Sequence, residues 1–275
     1  KRLPFVCTGL SGIHKAAVIS GFFADTGRKI GVVTHDEASA LQLQSDLSAL
    51  GINALAFPLR DYCIGNMTGY SKEYEHKRTD TLSALADGAF DVVCFSVDSA
   101  IQYTLPPKAL AESRFVLKRG EEIDTCLLMD RLLQAGYVRS EMCEGKGQFA
   151  CRGGIFDIFP ITSQNPVRIE FWGDEIDGIS YFDVDTQRRT DTVDSIEITP
   201  ACEVLYNPQE LLEKLKNYRD TEKSLTAKQT ERINADISAL EGGIAIPPDR
   251  YLPLIYSGGE TVFDYFGDAL VFVRD

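Results

Sequence analysis

A series of short apolar runs separated by helical stretches in the first hundred residues most narrows what this chain can fold into. Phe5-Val6-Cys7, Ile30-Gly31-Val32-Val33, Ala54-Leu55-Ala56-Phe57 and Val92-Val93-Cys94-Phe95 are too short for buried helices and lack the alternation of half-exposed strands. They read as strands buried on both faces. One of the intervening helices runs from a cap at Asp36 through Leu41 and Leu47 to Gly51 just beyond its end. Strand-helix alternation of this kind predicts a parallel sheet covered on both faces, an α/β architecture. Pro106-Pro107 closes the unit, so residues 1–108 form the first part of this domain.

A change of pattern marks a second, smaller α+β domain, 109–200. Its helix begins at Asp124, carries Leu128 and Leu132 on one face, and stops at Gly136, where glycine takes the left-handed capping conformation. Strands follow. In Val167-Arg168-Ile169-Glu170-Phe171-Trp172, strict alternation puts Val167, Ile169 and Phe171 on one face and Arg168, Glu170 and Trp172 on the other. Gly173-Asp174 then turns the chain into a hairpin. Gly153-Gly154 is a candidate bulge that would re-aim Arg152. Glu121-Glu122 and residues 183–194 read as solvated loops or turns. The third part, 201–275, opens with Asn207 as a cap and Pro208 at the first helical position, followed by Leu211, Leu215 and Tyr218 at helical spacing. A second helix carries Ile233, Ile237 and Leu240. The run Ala269-Leu270-Val271-Phe272-Val273 returns the chain to the first sheet as a strand.

Charge limits the partners. Among 275 residues, 28 Lys and Arg face 41 Asp and Glu, a formal net charge of -13 that disfavours autonomous DNA binding. No apolar run approaches the ~20 residues of a membrane span and nothing at the start resembles a signal peptide, so the expected compartment is cytoplasmic with no membrane partner. Seven cysteines are scattered without a C-x-x-C pair, which offers neither a disulfide framework nor a zinc site; in apolar surroundings they serve as small core residues. His14, His35 and His76 have no sequence partners for catalysis or metal binding and read as satisfied or exposed. The start at Lys1 and the stop at Asp275, directly after a strand, read as those of an excised fragment.

The first strand is followed by Thr8-Gly9-Leu10-Ser11-Gly12-Ile13-His14-Lys15-Ala16, in the place of a phosphate-binding loop. Against G-x-x-x-x-G-K-[ST], Gly9 and Lys15 match, His14 stands for the second glycine and Ala16 for the hydroxyl residue. The glycine lets backbone wrap a phosphate and the hydroxyl binds Mg²⁺, so both functions are compromised. A simple glycine-containing turn is the alternative. Leu270 to Val273 likewise has the apolar strand of a Walker B box, with Arg274 where the first acidic residue would hold metal.

Residues 147–160, with Arg152-Gly153-Gly154-Ile155-Phe156-Asp157-Ile158-Phe159-Pro160, continue through 167–175 to 182–189, ending Asp183-Val184-Asp185-Thr186-Gln187-Arg188. This pattern resembles the UvrA-interaction domain shared by UvrB and the transcription-repair coupling factor (Mfd) family. The degenerate loop and the lack of UvrB's tyrosine-rich hairpin after Phe57 favour the coupling-factor branch. The resemblance implies a degenerate P-loop NTPase-like, UvrB-like domain with an inserted UvrA-interaction domain. It also implies a non-catalytic module that binds UvrA through Arg152, Arg168, Glu170, Phe171 and Trp172, with Trp172 in place of the usual phenylalanine and Ala150 in place of an arginine of UvrB. Gly9, Gly12, His14, Lys15 and Ala16 would be the relic nucleotide loop, with no cofactor in this fragment. ATP and Mg, RNA polymerase and DNA would engage the rest of the parent, an ATP-dependent translocase that recruits excision repair to stalled polymerase. Distal parts of that parent would mask the UvrA surface until activation. The alternative within the resemblance is a UvrB-type helicase or ATPase subunit. The alternation independently places Arg168 outward, so that its removal would weaken docking without disturbing the fold; internal cross-strand pairing of Arg168 and Glu170 is the competing reading.

Overall fold

In the computed structural model, which describes residues 6–60, 72–244, 246–256 and 258–274, the runs at 30–33, 54–57 and 92–95 are strands of one parallel sheet. The chain divides into two compact units, one built from residues 1–61, 80–102 and 261–275 and the other from 62–79 and 103–260.

The first unit carries helix α1 (Ile13–Thr26), strand β1 (Ile30–Thr34), helix α2 (Glu37–Ala49), β2 (Ala54–Phe57), the second part of α3 (Lys72–Ala86), β3 (Val92–Ser96) and the short α4 (Val97–Ala100). The last strand of the chain, β12 (Leu270–Val273), also pairs here, and the described strands run in the order β12-β1-β3-β2, all parallel. Every residue of β1 and β3 is buried, as a strand packed on both faces requires. Ala16, Ile19, Leu43 and Leu47 cover one face with Ile30, Val32, Val92 and Cys94. On the other, Phe95 stacks on Phe266 with centroids 5.6 Å apart and meets Phe263 edge-on at 5.5 Å. The Phe266 ring lies so close to β1 that a Cβ on Gly31 would stand 3.0 Å from it, so a side chain there would have to push the ring aside. Asp36 caps α2 by accepting from the Ser39 N–H at 2.8 Å.

The first apolar run behaves differently. Val6 and Cys7 lie outside any strand and Val6 is 88% exposed, while Phe5 is outside the described residues. An apolar run becomes a strand only where a neighbour offers a ladder, and the described strands offer none to these two residues. The cysteines divide in the same way. Cys94 and Cys143 are buried and burial pushes their thiols up to about 12, whereas Cys7 and Cys126 are exposed rather than core residues; Cys63 lies outside the described residues.

In the second unit, α5 (Pro107–Ser113) precedes β4 (Phe115–Lys118) and α6 (Thr125–Gln134). Strands β5 (Val138–Arg139), β6 (Gln148–Arg152), β7 (Ile155–Ile158), β8 (Val167–Trp172), β9 (Glu175–Phe182) and β10 (Arg189–Thr192) form a sheet in the order β10-β9-β8-β7-β6-β5, antiparallel except for β5 against β6. A separate antiparallel pair joins β11 (Ser195–Ile198) to β4. Residues 189–192, expected as loop, form the exposed edge strand β10 because β9 presents a ladder to them. Gly153-Gly154, expected as a bulge, is instead the two-residue turn of the β6–β7 hairpin, with Arg152 paired to Ile155 and Gly153 at φ 59°. Helix α6 is capped by Asp124, and its Leu128 and Leu132 are fully buried against the sheet.

Helices α7 (Pro208–Thr221) and α8 (Ala227–Glu241) pack through Leu211, Leu215, Ile233 and Ile237, joined by Tyr251 just ahead of α9 (Leu252–Ile255). Tyr251 donates its hydroxyl to the buried Asp236 carboxylate at 2.6 Å. In the same unit Arg78 of α3, 1% exposed, grips Glu203 through Nε (2.7 Å) and Nη2 (3.0 Å), while Thr104 donates to the same carboxylate. Helix α3, largely polar in sequence, thus anchors a fully buried ion pair. His76, expected to be satisfied or exposed, is half-buried with Nε2 unpartnered among the described residues, and burial, then Lys72 and Lys146, depress its pKa to about 4. No helix among the described residues is long and apolar enough to cross a membrane.

Gly136 closes α6 at φ 84°, and a Cβ there would overlap Cys202 Sγ. We expect Gly136→Ala to destabilise the fold by more than the roughly 1–2 kcal/mol of left-handed strain. Gly120→Ala, with φ 79° and nothing within 4 Å, should show that strain alone. Urea titrations of both variants measure the difference, and equal losses would mean that Cys202 yields without penalty.

Candidate functional site

Pairing across β6, β7, β8 and β9 sets two rows on one face of the sheet. Ala150, Asp157, Arg168 and Ser180 form the first row; Arg152, Ile155, Glu170 and Gly178 form the second. The opposite face carries Phe149, Phe156, Val167, Ile169 and Ile179, all buried beneath α6. Because side chains alternate along a strand, burial of the apolar set obliges the polar set to share the other face.

At the centre of that face lies Asp157, only 1% exposed. Arg168 approaches it two-pronged, Nε to Oδ1 at 2.7 Å and Nη2 to Oδ2 at 2.9 Å, and Arg152 adds Nη2 to Oδ2 at 2.7 Å. Arg168 also donates to the Gln187 carbonyl at 3.4 Å and to Gln187 Oε1 at 3.2 Å, and its guanidinium lies 4.5 Å from the Phe182 ring centroid. The hydrogen bond that Arg168 donates to Asp157 holds the Arg168 pKa above its ordinary value, against the opposing effect of burial. Gln187 is brought to the arginine by a tight turn in which Asp183 accepts from the Thr186 N–H and hydroxyl at 2.8 and 2.7 Å. Gln187 itself sits at φ 58°, a left-handed conformation that a non-glycine residue adopts only when its surroundings compel it.

The side chains differ sharply in what they offer a partner. Arg168 is 14% exposed and Arg152 is 48% exposed. The expectation that Arg168 projects outward and contributes little to the fold is therefore corrected: its polar position on β8 faces a buried carboxylate, not water. Glu170 pairs with Arg189 of β10, and Trp172 is 83% exposed at the end of β8. Phe171 lies on the opposite face, edge-on to Phe156 at 5.5 Å and packed against the core. Ala150 is buried in a small apolar cluster with Cys143, Phe159 and Phe182. A shallow hollow lined by Arg139, Ser140, Glu141, Cys151 and Arg152 adjoins the β6 edge. Asp157, Gln187 and Arg189 are the members that reading the sequence overlooked. Asp157 had a signal, an acid in the otherwise apolar Ile155-Phe156-Asp157-Ile158-Phe159; Gln187 stood in the Asp183–Arg188 segment that carries the family resemblance, but no periodicity gave it a role, because a loop places it.

The glycine loop of the first unit has its own geometry. Gly9 and Gly12 have φ 78° and 43°, and Gly12 precedes α1 without a side-chain cap. His14 Nδ1 lies 3.4 Å from Ser11 Oγ. Ala16 is fully buried with Ile19, Ile30 and Val32, so its methyl is a core group. Arg274, following β12, donates Nη1 to the Ser39 carbonyl at 3.2 Å.

Because Arg168 neutralises a buried acid, Arg168→Ala should lower stability by about 3–5 kcal/mol, the range for breaking a buried pair. Arg152→Ala should cost under about 1 kcal/mol, as its half-exposed pairing resembles a surface bridge. Matched thermal melts decide this, and equal melting temperatures for the two variants would remove the brace role from Arg168.

Residues 115–203 match the family described as the UvrB interaction domain. Over 280 residues the chain is 32% identical to the transcription-repair-coupling factor of Bacillus subtilis (strain 168), covering 97% of this chain and 24% of that protein. Proteins of the same name from Staphylococcus aureus strains MRSA252 and USA300 are 27% and 28% identical over 98% of this chain and 24% of their own length. The chain thus spans about a quarter of the length of the curated relatives it matches. The segment that carries the Arg152–Asp157–Arg168 cluster is the one that matches the UvrB interaction domain family, within a chain similar along nearly its whole length to transcription-repair-coupling factors.

Proposed function

We propose that this chain is a non-catalytic docking module for UvrA, part of a coupling factor that brings nucleotide excision repair to stalled RNA polymerase. The observation that carries the reading is the polar sheet face of the UvrB interaction domain, where a half-exposed Arg152 and a largely exposed Trp172 flank a satisfied ionic cluster. An exposed tryptophan beside arginine on a rigid sheet is the composition of an interface anchor. Glu170 joins them at the rim through Arg189, while Arg168 and Phe171 support the face from within. RNA polymerase, DNA, ATP and Mg belong, in this reading, to other parts of a cytoplasmic parent.

The first unit is read as a P-loop NTPase-like domain whose chemistry has lapsed. A buried methyl at Ala16 supplies no hydroxyl for Mg²⁺, and Arg274 places a cation at the end of β12 where metal binding would need an acid. These features favour the docking module over a UvrB-type ATPase. The retained Lys15 alone would bring charge to a phosphate without the rest of the machinery.

Two measurements test the reading. Titration with UvrA should change the fluorescence of Trp172, the single tryptophan, and Trp172→Ala should weaken binding by about 2 kcal/mol or more, roughly thirtyfold; no saturable binding by the wild type would overturn the docking assignment. Phosphate release from ATP, with and without DNA, should stay at the buffer rate. Turnover that disappeared in Lys15→Ala would restore the ATPase reading.

A further inference from the structure

The Arg152–Asp157–Arg168 cluster is unequal in a way that assigns its members different work. Arg168 spends Nε, both N–H groups of Nη2 and one N–H of Nη1 on Asp157 and Gln187, and Phe182 lies against its plane. Little of it remains for a partner. Arg152 spends only Nη2, on Asp157 Oδ2, and has no other hydrogen bond among the described residues while standing 48% exposed. Two guanidiniums share one carboxylate, so the cluster keeps one uncompensated positive charge, and the exposed member is where that charge meets solvent.

We infer that Asp157 is a positioning residue of the docking face: it locks Arg168 as a brace and orients Arg152 as the guanidinium presented to a carboxylate on the partner. This rests on reading the face as the UvrA dock. The backbone contributes to the same end. Arg152 is the last residue of β6 and pairs with Ile155 across the Gly153-Gly154 turn, where a Cβ on Gly154 would stand 3.0 Å from the Phe171 carbonyl, so the strand end is held closely against β8. An arginine tethered at one nitrogen and free at the others is already ordered before it binds, and a carboxylate meeting its fork forms charge-assisted bonds without first freezing a long side chain. Arg168 has the converse role. Without it, Asp157 would pull Arg152 inward as its sole counter-ion, or stay buried and half-paired.

The test is a UvrA titration of the whole chain as wild type, Arg152→Ala, Asp157→Asn and the double variant, each with a thermal melt. Arg152→Ala is expected to bind roughly tenfold more weakly, the loss of one charge-assisted contact. Asp157→Asn should lose about as much, and the double variant should bind no more weakly than either single one, because Asp157 acts through Arg152. Wild-type affinity in Asp157→Asn, or losses that multiply in the double variant, would overturn the positioning role while leaving UvrA docking intact. Since Asp157→Asn disturbs a buried group and could fail to fold, Arg152→Lys is a second, independent variant. Lysine keeps the charge at a half-exposed site but cannot hold Asp157 and a second carboxylate in one planar fork, so its affinity should fall nearly as far as that of Arg152→Ala. Undiminished binding by Arg152→Lys would overturn the proposal. A folded wild-type chain that fails to bind UvrA at all would overturn the docking reading and this inference together.

Discussion

The second unit depends on a six-stranded sheet with two faces, one of which α6 and the β4–β11 pair cover. Phe149, Phe156, Ile169 and Ile179 must lie beneath Leu128 and Leu132 of α6, and this demand sets the register of β6 through β9. A slip of one residue would send the whole apolar set to solvent. Once that register holds, Asp157 has Ala150 on one side and Arg168 on the other, with Arg152 in the adjoining row. Nothing further is needed to bring the charges together. The bulge at Asp177, where the β8–β9 register shifts between Glu170 and Phe171, falls beyond the cluster and leaves the Asp157 row undisturbed.

A buried carboxylate stands only where cations and hydrogen bonds replace the water it loses. Here the replacement comes from two strands and one turn: Arg152 from β6, Arg168 from β8, and Gln187 from the tight turn after β9 to hold Arg168 in place. The left-handed backbone at Gln187 is the local strain that this arrangement carries. In a chain with a net charge of -13, a face that concentrates guanidiniums around a single acid is a local exception, and such exceptions set orientation and encounter with an oppositely charged partner.

In the first unit packing decides what the glycine loop can carry. The loop with Gly9 and Gly12 delivers the chain into α1, and α1 buries Ala16 and Ile19 over β1. A threonine or serine at position 16 would place a hydroxyl among Ile30 and Val32 unless a ligand received it. The methyl resolves that conflict in favour of the core. Gly31, pressed by Phe266, marks the opposite side of the same strand as equally constrained.

Local patterning was enough to locate most elements: the buried strands at 30–33, 54–57 and 92–95, the caps at Asp36, Asp124 and Asn207, the left-handed stop at Gly136, and the alternation of β8 all follow from spacing and backbone chemistry that neighbouring residues decide. The face bearing Arg168, Glu170 and Trp172 was legible for the same reason, whereas Arg152 came from the family resemblance alone and its expected bulge proved to be a hairpin turn. What alternation could not supply was the occupant of the space above that face. Whether a side chain on the polar side of a strand meets water or another residue depends on segments remote in sequence, here Asp157 eleven residues before Arg168 and Gln187 nineteen after it. Only tertiary structure turned Arg168 inward, left Arg152 and Trp172 to solvent, paired Arg78 with Glu203 across 125 residues, and denied Val6 and Cys7 a ladder, because burial and hydrogen-bond satisfaction are properties of the assembled chain.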